Sequence, residues 1–293
     1  MCSRAAVLVR TSAMFEFLLS HEALTRLVAF LLLAIMIAMA EYFSPRRAAV
    51  RGRWPTNQAL LALDSLIVRM LSATSLIGMA AFAGQHDLGV LRQIRLPAIA
   101  QILLSVIALD LVLYVQHRLL HSVPMFWRFH AVHHADSEFD VTTGVRFHPL
   151  EAVFSFAVKA IAVIACGAPL VAVLLFEVLL NAASLFGHSN IRLAANVDHA
   201  LRLIIVTPDM HRIHHSAQSA EREHNFGFFT SIWDRLFGTY QAQPALSHAT
   251  MMLGLPALAP PAQNSGLWAL LCMPFMSAPS EDPGKERGKE PGN

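Results

Sequence analysis

Two short stretches, "FHAVHH" (Phe129–His134) and "MHRIHH" (Met210–His215), repeat one pattern, H-x-x-H-H, about eighty residues apart. The whole chain has 15 histidines in 293 residues. On a helix, positions i, i+3 and i+4 share a face. His130, His133 and His134 should therefore converge, as should His211, His214 and His215. A third group, "HRLLH", spaces His117 and His121 by i, i+4. Rings gathered this closely would repel one another if protonated together, so a bound metal is the simplest way to keep them neutral and adjacent. Eight or nine imidazoles exceed the about four ligands of a zinc ion and match two metals with about four or five nitrogens each. Imidazole suits iron, zinc, copper and nickel, so ligand type leaves the metal open.

The elements that must position these rings are apolar helices with polar stripes. Asp110, Tyr114, His117 and His121 follow steps of four, three and four. Glu177, Asn181, Ser184 and His188 do the same, which brings His188 to the site. Ionisable groups at membrane depth are costly and normally face a protein interior with a partner. Metal-bound imidazole usually donates its other N–H to a carboxylate or carbonyl. Asp110 and Glu177 are spaced for that role. "TPDMHRIHH" opens as a helix should, with Thr207 as cap, Pro208 in the first turn and Asp209 beside it. The isolated His21, His86, His199 and His248 read as ordinary core or interfacial residues.

Composition sets the surroundings. The chain is 55% hydrophobic and 14% charged, against roughly a quarter charged in a soluble domain. Its net charge of +2 gives no reason to expect nucleic acid. Cys2, Cys166 and Cys272 form neither a disulfide framework nor a thiolate metal motif. No cleavable signal stands out in the first twenty residues, so the first apolar run should remain as an anchor. That run is Leu24–Phe43, near the ~20 residues a bilayer core needs. Others follow at Ala59–Ala83 and Ala98–Val115, and 151–187 reads as a helical hairpin broken at "CGAP" (Cys166–Pro169). The loop carrying Arg46, Arg47, Arg51 and Arg53 assigns residues 44–56 to the cytoplasm. Three spans and a re-entrant hairpin then put every histidine box on that side. The expectation is an all-α, multi-pass membrane helical bundle with a cytoplasmic histidine-rich metal domain. Residues 1–97 form the anchor spans, 98–245 the metal domain, 246–276 a C-terminal segment whose apolar part (266–276) lies on the interface or packs on the domain, and 277–293 a disordered tail.

Six motifs, "HRLLH", "WRFHAVHH", "RFHPLE", "FGHSN", "TPDMHRIHH" and "NFGFFTSIWDRLFGTY", occur in this order. Over about residues 100–241 the chain thereby resembles the fatty acid hydroxylase superfamily in its sterol desaturase-like branch. The resemblance implies a membrane-embedded non-haem di-iron oxygenase with two iron ions (Fe2+/Fe3+). Its histidine boxes fall on His117, His121, His130, His133, His134, His211, His214 and His215, and His188 matches the further histidine between the second and last boxes. Some relatives carry extra histidines where this chain has Ser122, which leaves His148 and His224 as candidates for a tenth ligand. The implied reaction hydroxylates or desaturates a lipid drawn from the bilayer, a sterol, fatty acyl chain or related molecule, using O2. No haem-binding "HPGG" or flavin fingerprint appears, so electrons are expected from a separate cytochrome b5-, ferredoxin- or reductase-type donor. "WDRLFGTY" reads as a short amphipathic helix ended by Gly238 that closes the metal domain against the membrane. Two other classes fit an apolar, histidine-rich chain. A metal transporter should place its ligands near the midplane of several spans, and a zinc-dependent membrane hydrolase lacks its H-E-x-x-H signature here.

Overall fold

A computed structural model describes residues 17–49, 51–72, 74–255 and 266–276. The tail at 277–293 and most of the amino-terminal twenty residues, on which the signal-peptide reading rests, lie outside the described residues. Among the described residues the structure is helical, with only isolated bridges between extended segments.

The long helices are α1 (Glu22–Phe43), α2 (Trp54–Leu71), α3 (Leu76–Gln85), α4 (Ala98–Ser122), α5 (Pro124–His134), α6 (Pro149–Cys166) and α7 (Leu170–Gly187). The shorter ones are α8 (Ala195–Leu201), α9 (Pro208–His214), α10 (Ser219–Arg222), α11 (Ile232–Leu236) and α12 (Leu267–Cys272). Five segments are long and apolar enough to cross a membrane: α1, α2 with α3, α4, α6 and α7. On α1 only Glu41 is buried, while Leu27, Leu31, Ile35 and Met39 are exposed. A face like that is stable in hydrocarbon and a liability in water. The chain is a multi-pass membrane protein.

The second apolar stretch departs from the single run expected over Ala59–Ala83. It breaks between Leu71 and Leu76, where serines take over the backbone groups. Ser72 Oγ donates to the Val68 carbonyl at 2.6 Å, and Ser75 Oγ accepts from Gly78 N at 3.2 Å as an N-cap.

Helix α7 lies between α1 and α4, and α6 packs on α2, α3 and α4. Leu76, Ile77, Ala80, Leu109, Leu113, Val163, Val173 and Phe176 form the shared core. The α6–α7 hairpin turns at Gly167, which has φ +72° and donates to Val163 O and Ile164 O. A Cβ on Gly89 would sit 2.1 Å from the Gly167 nitrogen, so the α3–α4 loop and the hairpin turn touch backbone to backbone. Both hairpin arms therefore begin and end at the opposite pole, with Pro149 and Gly187.

That pole also receives the arginine loop. Arg53 is buried and binds Asp136 Oδ1 at 2.6 Å and Asp140 Oδ2 at 2.9 Å. Arg46 pairs with Asp209 at 3.0 Å. Glu41 accepts from the backbone N–H of Val141 and of Asn190, each at 2.7 Å. Arg46 and Arg53 thus sit at the same end of the bundle as the histidine segments. The C-terminal piece packs on this domain, with Leu270 buried against Leu60 and Val132.

Candidate metal centre

Helix geometry divides each H-x-x-H-H triplet in two. Successive residues turn by about 100°, so i and i+4 nearly superpose while i+3 points to one side. Helix α5, started by Pro124, sends His130 and His134 to one group and His133 to another. Helix α9 does the reverse, giving His211 and His215 to the second group and His214 to the first. Thr207 Oγ1 accepts from Met210 N at 3.4 Å ahead of Pro208, so the start read from "TPDM" is the start of α9. The last two turns of α4 add His117 and His121 to the first group, and the end of α7 adds His188 to the second.

The first group is therefore His117, His121, His130, His134 and His214, and the second His133, His188, His211 and His215. All nine are buried, and within each group the candidate ligand atoms lie within 4.8 Å of one another. The groups adjoin: the His134 and His215 rings stack with centroids 4.4 Å apart.

The hydrogen bonds fix the tautomers. Nδ1 of His117 donates to Phe226 O at 2.8 Å, that of His133 to Arg146 O at 3.2 Å, that of His188 to Ser184 O at 2.7 Å and that of His214 to His224 O at 2.8 Å. His130 Nδ1 donates to Glu151 Oε1 at 2.8 Å. A carbonyl only accepts, so in the neutral ring Nε2 carries the lone pair. Yet His117 Nε2 lies 3.1 Å from His130 Nε2 and 3.0 Å from His214 Nε2, and His133 Nε2 lies 3.0 Å from His188 Nε2. In each pair two lone pairs face each other with no proton between them. Both nitrogens of His134 and of His215 have no hydrogen-bond partner among the described residues. Burial, reinforced by neighbouring imidazoles, holds the pKa of His133, His134, His211, His214 and His215 well below the ordinary histidine value. Burial lowers His188 to about 4. Neutral, inward-facing, unpartnered Nε2 atoms are the donor set a cation needs, and the residues fit a pair of metal ions.

The carboxylates divide differently from the expectation. Asp110 does not reach a histidine: it accepts from Phe229 N at 3.3 Å, Thr230 Oγ1 at 2.9 Å and Trp233 Nε1 at 2.8 Å. Glu177 pairs with Arg26 at 2.8 Å. Stripe spacing gave the correct faces, but the element packed opposite each one supplied a different partner. A carboxylate that does orient a ring is Glu151, in the first turn of α6, while Glu223 Oε1 lies farther off, 3.5 Å from His121 Nδ1. The signal for Glu151 was the acid of "RFHPLE" standing immediately before an apolar run.

Neither candidate for a tenth ligand joins the groups. His148 caps α6, its Nδ1 accepting from Leu150 N at 3.1 Å and its Nε2 donating to Leu271 O at 3.3 Å. His224 donates from Nδ1 to Ala220 O at 2.9 Å, and it is its backbone carbonyl that orients His214. Among the other histidines, His21 donates to Phe17 O, and His248 is buried 3.9 Å from Asp209. "WDRLFGTY" does more than close the domain. Buried Asp234 accepts from Phe226 N and Gly227 N, each at 2.8 Å, and from Thr239 Oγ1 at 2.7 Å, which fixes the carbonyl that holds His117. Ile232, Leu236 and Phe237 stay exposed, and Gly238 ends the helix with φ +71°.

A cavity of about 470 Å³ runs between α1, α2, α4, α6 and α7 up to this site. Besides Glu151 and Ser184, which bond His130 and His188, three of its lining residues abut the rings. Phe147 stacks on His133 at 4.6 Å between centroids, Phe228 lies 5.0 Å from His117, and a Cβ on Gly144 would be 3.3 Å from His188 Nδ1.

The fatty acid hydroxylase family model matches residues 102–239. An ornithine lipid hydroxylase of Rhizobium tropici is 35% identical over 148 residues, which is 50% of this chain and 44% of that protein. The alkylglycerol monooxygenase of Homo sapiens is 28% identical over 47% of this chain and 30% of its own length. That of Caenorhabditis elegans is 26% identical over 46% and 26%. The chain thus spans less than half the length of each of these curated relatives. No solved structure matches. Residues 102–239, the stretch that the fatty acid hydroxylase family model matches, carry all nine clustered histidines and the carbonyls that orient rings from both groups.

Proposed function

We propose that this protein is a membrane-bound lipid hydroxylase whose nine clustered histidines hold two iron ions. The observation that carries the reading is the set of Nε2 atoms facing one another at 3.0–3.1 Å with their lone pairs unshared. His117, His121, His130, His134 and His214 would hold one ion, and His133, His188, His211 and His215 the other. When bound and reduced, such a centre supplies the electrons that let O2 attack an inert C–H bond, so that R–H, O2, two electrons and two protons give R–OH and water. The names of the relatives support hydroxylation over desaturation.

The protein's own part is to aim and to exclude. Backbone carbonyls at Phe226, Arg146, Ser184 and His224, with the Glu151 carboxylate, lock the rings so that each Nε2 faces inward. Burial of all nine keeps water from the site. The cavity beside Gly144, Phe147 and Phe228 would present a lipid carbon to it. Residues 98–245 would form the catalytic domain, with residues 1–97 supplying α1 and α2 to the cavity wall and the segment 266–276 bracing the domain. Electrons would come from a separate cytochrome b5-, ferredoxin- or reductase-type donor on the cytoplasmic side. The position of both groups at one end of the bundle favours an enzyme over a transporter.

The test is metal per purified chain, by plasma mass spectrometry, alongside incorporation of ¹⁸O from ¹⁸O2 into a lipid product. Two irons with label in the product is the expected result. One tightly held zinc, with activity that needs no oxygen, would overturn it.

A further inference from the structure

The cavity that reaches the histidines carries charges they do not use. Asp64 on α2 is 7% exposed, lines the cavity, and has no hydrogen-bond partner on Oδ1 among the described residues. Lys159 on α6 lines the same cavity and makes neither a hydrogen bond nor an ion pair among the described residues. The nearest carboxylate acting on it is Glu177, which is already bonded to Arg26 at 2.8 Å. Arg69 stands at the exposed rim without an ion pair among the described residues. A carboxyl and an ammonium are costly inside membrane-spanning helices unless something answers them. Here the cavity offers one of each: Asp64 Oδ1 has no hydrogen-bond partner among the described residues, and the carboxylate that acts on Lys159 is already bonded to Arg26.

Their depth follows from helix rise. Asn57, seven residues before Asp64, bonds Thr142 beside the histidine domain at 3.0 Å, and Glu151, eight residues before Lys159, bonds His130. At 1.5 Å per residue, both charges lie roughly 10–12 Å from the histidine end. From there the cavity extends to Gly144 and Phe147, so a ligand that met both charges could reach the rings along it.

We infer that this cavity binds the polar part of a zwitterionic lipid, its ammonium against Asp64 and its phosphate or carboxylate against Lys159. The inference rests on the reading of a lipid as substrate and narrows it to lipids bearing both charges. A sterol or a neutral glycerolipid would leave both side chains unanswered.

Binding tests it without turnover. The purified full chain in neutral detergent would be titrated with phosphatidylethanolamine, phosphatidic acid and diacylglycerol of identical chains, and occupancy read by native mass spectrometry. The wild type should prefer phosphatidylethanolamine to diacylglycerol by about tenfold or more. Asp64→Asn should weaken phosphatidylethanolamine by a similar factor while sparing phosphatidic acid, and Lys159→Gln should weaken both. Asp64→Glu and Lys159→Arg should keep the wild-type order. If a neutralising variant does not fold, the wild-type order decides. Diacylglycerol bound as tightly as phosphatidylethanolamine, or an unchanged order in both neutralised variants, would overturn the inference. Because no iron or oxygen enters the measurement, a failed oxygenase assay leaves its outcome intact.

Discussion

Glu151 gives the sharpest test of how the site is held. Its Oε1 accepts from His130 Nδ1 at 2.8 Å with both groups buried, and its Oε2 has no hydrogen-bond partner among the described residues. Glu151→Gln keeps the shape and an accepting oxygen but removes the charge. A charge-assisted hydrogen bond is about twice as strong as a neutral one, a difference of order 1 kcal/mol here. That converts to a loss of roughly fivefold to tenfold in metal affinity. Glu151→Ala instead strands a buried N–H, at a cost of about 1–3 kcal/mol, and frees the ring to turn. Its metal affinity should fall by roughly 10–100-fold, the range expected for partners of metal-bound imidazoles. The assay is competition for metal with a calibrated chelator, read with the ligand-field spectrum of a cobalt-substituted sample. Gln should retain the wild-type spectrum, while Ala should shift it. Wild-type affinity and spectrum in Glu151→Ala would refute the argument that this carboxylate positions His130.

The remaining expectations follow from the same contacts. His134→Ala and His215→Ala should each lower bound metal below two ions per chain, whereas His148→Ala should leave the count unchanged and lower the melting temperature through the lost α6 cap. Asp110→Ala removes the acceptor of three hydrogen bonds from Phe229, Thr230 and Trp233, so it should destabilise the 226–240 segment by about 2–4 kcal/mol, seen as faster hydrogen exchange there. Single cysteines at Ala49, Met125 and Ala220, all exposed, should label from one side of the membrane, and that side should be the cytoplasmic one; opposite labelling of any of them would contradict the shared pole of the bundle.

What could be read from the sequence was whatever depends on local spacing. H-x-x-H-H on a helix brings three rings to one region regardless of what surrounds it, and both triplets meet where the spacing says they should. The α9 start was legible because Thr207 and Pro208 act within a single turn. The partners of Asp110 and Glu177 were not legible, since the spacing of a stripe says which way a side chain faces but not which element will cross it. Asp110 met α11 and the strand-like segment before it, and Glu177 met Arg26, 151 residues away. The orienting carbonyls at Phe226, Arg146, Ser184 and His224 leave no trace in residue type, because every residue has a carbonyl. The break at Ser72–Ser75 was hidden for a related reason: serine is apolar enough to pass within a hydrophobic run, yet its hydroxyl can replace a helix bond.

The two-group arrangement follows from an asymmetry between the two triplets. Helix α5 gives its i and i+4 rings to the first group and its i+3 ring to the second, and α9 gives the opposite. A single H-x-x-H-H helix would therefore hold one ion with two rings and a neighbour with one. Two such helices set against each other supply three rings to each side. His117 and His121 from α4 raise one side to five, and His188 from α7 raises the other to four. Each additional ring comes from the histidine end of a membrane-spanning helix, where the chain leaves the bilayer and a polar residue costs least. The same ends bring the cavity up to the rings, because Gly144 and Phe147 lie in the loop between α5 and α6. Two adjoining ring groups and a cavity that reaches them are in this way consequences of one geometry: two short histidine helices set at the ends of the helices that line the cavity.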